Sequence, residues 1–323
     1  MSQDLTGRPA AGKAARSWRT AVDRLAGAYS EHTLRGYRAD FGLFDAWCGE
    51  NGRKPLPASP RTVAAFIAFD AQKSSSSTLR RRLASIRKVH RLLRLVNPVT
   101  DEEVLTAYRR ALRSKTRRPK QALGLTRPLR DQLMDACPAD LAGRRDRALI
   151  AVGYDTLCRR SELAALKAED IEQHSGGGAS ILIRRAKNDP FGEGRLAYLT
   201  GATVDLLEAW LKAAGIKDAW LFRRVSPLGA VGTEPLHPYS VNRILKTRAE
   251  AAGVAPETVQ RLSGHSMRVG AAQDMIGAGL SILPIMQAGG WKSINVVARY
   301  VQHADLGPLM DRLRDTGRRA HRG

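Results

Sequence analysis

The sequence predicts a mainly α protein: a small helical domain, then a small α+β domain that is itself mostly helical. Three observations predict it. Apolar residues recur at helical spacing from about residue 16 to 114. A basic, proline-bearing stretch then breaks the period. Beyond it, two short alternating segments lie among renewed helical patterns. A chain of 323 residues has room for two such domains.

Residues 1–15, rich in Ala, Gly and polar side chains, read as a disordered tail. A helix over about 32–49 places Leu34, Tyr37, Phe41, Phe44 and Trp47 on one stripe, and a second covers about 60–72. The serine run Ser74–Ser77 caps a third, STLRRRLASIRKVHRLLRLV. Leu79, Leu83, Ile86, Leu93 and Val96 form its apolar stripe, and Arg80, Arg87, Arg91 and Arg94 a second, cationic one. His90 reads as a packing or solvated histidine rather than a ligand. A fourth helix covers about 100–114, so the first domain spans 16–114. The linker 115–127 follows, and the second domain runs from 128 to 323. Helices are expected there at about 127–136, 142–154, 160–167, 202–214, 238–253, 265–278, 281–288, 293–302 and 306–317. Strands are expected at about 180–186 and 195–199, joined by the turn-rich KNDPFGEG.

The chain carries 53 Lys+Arg against 31 Asp+Glu, a net charge of +22. More than half of that excess falls within residues 79–130, which hold 16 basic and 3 acidic side chains. A concentrated cationic stripe suits a polyanion of regular charge spacing, because neutralising several phosphates releases counterions. A solvated helix face is the bland alternative. No 18-residue apolar run is present, so no membrane span is expected. The N-terminus shows no apolar leader, and three cysteines make no disulfide framework. Both fit a reducing cytoplasm.

The densest segment is SGHSMRVGAAQDMIGAGLSILPIMQAGGWKSINVVARYVQHAD, residues 263–305. His265 and Arg268 stand three apart at the start of a helix and share a face. An imidazole and a guanidinium there can hold a phosphate, and the imidazole can also move a proton. Taken alone, HxxR is equally a surface or packing pair. Tyr300 lies nine residues after Trp291. A tyrosine can serve as a nucleophile or simply be a half-buried aromatic, and Trp291 by itself reads as core. In YDTLCRRSELAAL, Arg159 and Glu162 stand three apart at a helix entry, and Lys187 enters the turn between the two strands. An ion pair and an exposed turn lysine are the bland readings.

Together these motifs resemble the tyrosine recombinase (phage integrase) family. The resemblance covers nearly the whole chain after about residue 30. It rests on SGHSMRVGAA, MQAGGW, the tyrosine nine residues beyond the tryptophan, TLCRRSEL, and KQAL in the linker. It implies a helical core-binding domain followed by a tyrosine-recombinase catalytic domain. The implied activity cuts and rejoins DNA through a 3′-phosphotyrosyl intermediate, with no cofactor, metal or ATP. Tyr300 would be the nucleophile, Arg159 and Arg268 the phosphate clamp, Lys187 the general acid and His265 a proton-transfer partner. Glu162 would support the site, and Trp291 would fill a position where many members carry histidine. Arg160 places a second arginine in the first box, so which of the two faces the phosphate rests on alignment.

The partner implied is double-stranded DNA with inverted-repeat half-sites, bound by a dimer on one site and a tetramer in the synapse, with no membrane partner. The protein would be bacterial, phage-borne or plasmid-borne and cytoplasmic. Sequence readers would lie on 76–94 and 238–249. The expected DNA contacts are Ser77, Thr78, Arg80, Arg81, Arg87, Arg91, Lys115, Arg117, Arg118, Lys120, Gln121, Tyr239, Asn242 and Arg243. A C-terminal helix with Leu306, Leu309, Met310 and Leu313 on one stripe would dock on a neighbouring protomer. The competing expectations are a relaxing topoisomerase or a hairpin-forming telomere resolvase with the same chemistry, and a DNA-binding regulator with none.

Overall fold

A computed structural model of the chain describes residues 18–115, 122–184, 194–301, 304 and 307. The chain divides into two compact units, residues 1–119 and 120–323.

In the first unit a helical segment at 18–23 precedes α1 (Glu31–Glu50), α2 (Pro60–Asp70), α3 (Ser76–Leu92) and α4 (Glu102–Arg113). Ser30, Ser59 and Ser75 each accept a backbone N–H three residues on, capping α1, α2 and α3. The stripe read from the sequence packs as expected, with Leu34, Phe41, Phe44 and Trp47 buried and Tyr37 half-buried. Tilted and edge-on rings fill this core: Trp18–Phe41 centroids lie 5.0 Å apart and Phe44–Phe66 5.1 Å. His90 is fully buried; Nδ1 donates to Ile86 O (2.9 Å) and Nε2 accepts from Ala58 N (3.1 Å).

Helix α3 departs from expectation at its end. It stops at Leu92, and Arg94 adopts a left-handed conformation (φ 56°) while Leu95 N–H returns to His90 O. That turn breaks the helical period, so Val96 is 87% exposed instead of facing the core, and Leu93 is half-buried. Two arginines of α3 are drawn onto buried acids. Arg81 grips Asp40 through Nε and Nη2, both at 2.7 Å, and Arg82 pairs with Asp70. Arg80, Arg87, Arg91 and Arg94 stay exposed.

The second unit comprises α5 (Arg127–Asp135), α6 (Leu141–Asp155), α7 (Arg160–Ala164), β1 (Ile171–Gln173), β2 (Ala179–Ile183), β3 (Arg195–Leu199), α8 (Gly201–Ala214), β4 (Arg223–Val225), β5 (Val231–Pro235), α9 (Pro238–Ala251), α10 (Pro256–Arg261), α11 (Ser266–Gly277), α12 (Ile282–Gly289) and α13 (Ile294–Val301). β1, β2 and β3 form an antiparallel sheet in that order, with Ile181 opposite Ala197, and Ala179, Ile181 and Ile183 turned into the core. The described part of β2 runs to Ile183, and Arg184 donates to Asp170 (2.6 Å); residues 185 and 186 of the expected strand lie outside the described residues. β1 and the hairpin β4–β5 went unread, since segments of three to five residues leave too few positions for a period to show. The helix expected to 167 is cut short: α7 spans five residues, Lys167 pairs in an isolated bridge with Trp220, and a 3₁₀ turn follows at Ala168–Asp170. The short α10 was also unread.

α11 is the scaffold of this unit. Its first turn is pinned by Leu125 N–H donating to Ser266 O (2.8 Å). Gly270 lets the segment before α5 lie against it, since a Cβ there would fall 2.0 Å from Leu125 O. A small apolar cluster of Tyr154, Leu157, Ala271, Ala272, Ile285, Trp291 and Val297 seats α12 and α13 on α11.

Candidate active site

Four helices deliver the side chains singled out by the sequence. His265 occupies the N-cap position of α11 and Arg268 lies one turn later. Trp291 follows a left-handed Gly290 (φ 61°) that ends α12. Tyr300 is on the last turn of α13, and Gln273 of α11 holds its carbonyl (3.2 Å). Arg159 immediately precedes α7, and Glu162 lies within it.

These residues converge. Tyr300 Oη lies 2.5 Å from His265 Nε2. The Tyr300 ring sits 5.2 Å from the His265 ring and 5.2 Å from the Trp291 ring. Arg268 is fully buried, its guanidinium carbon 4.0 Å from the Trp291 ring centroid. Its Nη1 donates to Leu157 O and its Nη2 to Gly289 O (2.5 Å), while its Nε has no hydrogen-bond partner among the described residues. Glu162, also buried, receives the Arg159 backbone N–H (3.0 Å) and Arg159 Nη1 (2.5 Å). This is no exposed surface pair: burial makes each charge depend on the other.

The electrostatics follow from burial and clustered cations. Burial pushes the His265 imidazole down to about 4, helped by Arg268, Arg159 and Arg160, so the ring is neutral at pH 7. A neutral ring can accept the phenol's hydrogen at Nε2. Burial, then Arg159, lowers Arg268 to about 10, which leaves it charged at neutral pH.

Known proteins give the family. Residues 125–306 match the phage integrase family, and residues 24–95 match the phage integrase N-terminal SAM-like domain. The recombinase cre of Escherichia phage P1 is 33% identical over 299 residues, covering 86% of each chain. The chain belongs to the phage integrase family. It is a tyrosine site-specific recombinase. An integrase/recombinase xerD homolog of Selenomonas ruminantium is 30% identical, over 88% of this chain and 85% of that one. The fold also matches solved members at low identity. XerH site-specific recombinase, bound to palindromic difH substrate in a post-cleavage complex, gives a TM-score of 0.65 at 14% identity, over 94% of this chain and 84% of that one. A lambda integrase dimer bound to a COC′ core site gives 0.58 at 16%, over 88% and 94%.

Against this family background, the structure brings together Tyr300, His265, Arg268, Trp291, Arg159 and Glu162. Lys187 lies outside the described residues, as do Arg117, Arg118, Lys120 and Gln121, and the apolar stripe of the expected C-terminal helix. Ser77, Arg80, Arg87 and Arg91 are exposed along α3, with Thr78 half-buried beside them. Arg81, expected among the DNA contacts, is committed to Asp40, and Lys115 donates to Ala71 O. On α9, Tyr239 is exposed with the Arg160 guanidinium 4.4 Å from its ring centroid, and Arg243 is exposed. Asn242, expected to read bases, accepts Gly264 N–H (2.6 Å) and so fixes the turn that presents His265. The stacking of Arg160 on Tyr239 leaves Arg159 as the arginine joined to Glu162. Sequence reasoning missed Arg195 and Gln273. Both act through main-chain carbonyls of remote segments, a contact with no spacing signature in the sequence.

Proposed function

We propose that the chain cuts and rejoins duplex DNA through a covalent 3′-phosphotyrosyl ester on Tyr300. The observation that carries the reading is Tyr300 Oη held 2.5 Å from the Nε2 of a neutral His265, beside the buried Arg268. His265 takes the phenol proton as Tyr300 attacks phosphorus. The P–O5′ bond breaks, and the departing 5′-oxygen needs a proton. Lys187, by its place in the family pattern, supplies that proton. The new ester preserves the free energy of the broken phosphodiester, so a 5′-hydroxyl from another strand can reverse the step onto a new neighbour without ATP.

Arg159 and Arg268 neutralise charge building on the non-bridging oxygens, a task two guanidiniums can perform without a metal ion. The Arg268 Nε, without a partner among the described residues, supports this role: a buried donor lacking an acceptor costs about 1–3 kcal/mol, which an arriving anion would relieve. Glu162 aims Arg159. The exposed arginines of α3, with Tyr239 and Arg243 of α9, contact a DNA site built of inverted-repeat half-sites. Two protomers occupy one site and four make the synapse, joined by the C-terminal segment.

A nicked suicide substrate carrying the site tests the reading, because loss of the short 5′-fragment traps the covalent adduct. Wild type should accumulate the adduct and Tyr300→Phe should form none. Arg268→Ala should lose cleavage yet keep half-site binding, since most affinity comes from other phosphate contacts. An adduct persisting in Tyr300→Phe would overturn the assignment.

A further inference from the structure

Two arginines from different elements bridge the same pair of backbone turns. Arg268 spans Leu157 O and Gly289 O. Arg195, which opens β3, spans the adjacent carbonyls: Nη2 donates to Thr156 O (2.9 Å) and Nη1 to Ala288 O (2.6 Å). Consecutive carbonyls on each turn are thus held by consecutive guanidiniums. One turn, left-handed at Leu157 (φ 51°), leads into Arg159; the other leads into Trp291.

Arg195 also faces the acid of the first arginine box. Its Nη2 lies 3.7 Å from Glu162 Oε2, while Glu162 Oε1 receives Arg159 Nη1 at 2.5 Å. A single carboxylate therefore sits between two cations, only one of which belongs to the motif. The Arg195 side chain is 11% exposed, and its Nε has no hydrogen-bond partner among the described residues. Glycine at 290 leaves room for the Arg195 stem: a Cβ there would stand 2.9 Å from Arg195 Cδ and 3.2 Å from Nε.

We propose that Arg195 is a positioning residue for strand cleavage, a role that rests on the assignment of Arg159, Arg268 and Tyr300 above. Arg195 fixes the Thr156–Leu157 turn against the Ala288–Gly289 turn and shares the charge of Glu162. Arg159 is thereby held at its place by an acid that does not draw it fully inward, and Arg268 keeps both of its carbonyl anchors in register. Two planar forks can tie two turns at four points, whereas an ammonium in place of one of them cannot span its pair.

Single-turnover adduct formation on the suicide substrate tests this, with half-site binding and thermal unfolding measured on the same preparations. Arg195→Ala should cleave more slowly by on the order of 10²-fold, the scale of a displaced clamp, with half-site affinity nearly unchanged. Added guanidinium ion should restore part of the rate. A substrate with sulfur in place of the bridging 5′-oxygen, whose leaving group departs without a proton, should not restore it, because Arg195 acts on the clamp. Restoration by that substrate would tie Arg195 to leaving-group protonation and overturn the proposal. Should Arg195→Ala fail to fold, Arg195→Lys carries the test: slowed cleavage by a folded lysine variant is expected, and wild-type cleavage overturns the proposal. The Tyr300→Phe control separates the two levels. If it forms no adduct while the Arg195 variants cleave at the wild-type rate, the positioning role alone falls; an adduct in Tyr300→Phe defeats the reading beneath it.

Discussion

His265 shows how one residue's surroundings set its chemistry. Burial and three neighbouring arginines hold its ring neutral down to about pH 4, against an ordinary value near 6.5. Between these limits the unfolded chain binds a proton that the folded chain refuses, so stability rises with pH across that window and is flat above it. His90, pushed down by burial, adds to the same slope. We expect the thermal midpoint to fall as pH drops from about 6.5 toward 4, and His265→Asn to flatten part of that decline. An unchanged pH profile in His265→Asn would contradict the buried neutral ring. The residues of this site were unevenly legible. His265, Arg268, Trp291 and Tyr300 stand in one continuous segment with a fixed spacing, which a sequence displays directly. Arg195 was missed, and the turn-holding bond of Asn242 unread, because their partners are main-chain groups far away in the chain.

At the scale of elements, α11 carries the load by close approach. Gly270 admits the Leu125–Thr126 backbone, and Gly153 of α6 meets the Met267 side chain on the same helix. Gly270→Ala should destabilise the protein by about 1–3 kcal/mol, or prevent folding, because the obstructing atoms are main chain and cannot swing aside. The urea midpoint of the purified variant measures this, and a wild-type midpoint would refute the packing argument. In the first unit, Asp70 is fully buried and paired with Arg82. Asp70→Ala should cost about 3–5 kcal/mol, since it strands a buried cation. Long amphipathic helices such as α1 were readable from their periods. The end of α3 was not, because Arg94 takes a left-handed conformation that the surrounding apolar spacing does not signal, and Val96 was misplaced as a result.

At the scale of the whole molecule, the +22 net charge is resolved into two populations. Arg81, Arg82, Arg145 and Arg248 neutralise buried acids, so they build the fold. Arg87 and Arg91 remain on the exposed face of α3. Arg87→Ala should weaken binding to any duplex and reduce the salt dependence of log K by about one unit of slope. Arg81→Ala should instead lower stability with little change in that slope. Equal slopes for wild type and Arg87→Ala, by titration across salt concentrations, would remove α3 from the interface. Domain order, helical character and the β2–β3 pair were legible from composition and period; β1, β4, β5 and the cross-turn arginine pair exist only once distant segments meet.

Covalent bonding of Tyr300 itself to DNA is the step on which the catalytic cycle turns. Trapping the adduct on a suicide substrate, digesting it with protease and nuclease, and sequencing the modified peptide by mass spectrometry tests it most directly. The account predicts a nucleotide 3′-phosphate on Tyr300, within the segment Ile294–Val301. The same phosphate on any other residue, or a cleaved substrate with no peptide attached, would contradict it.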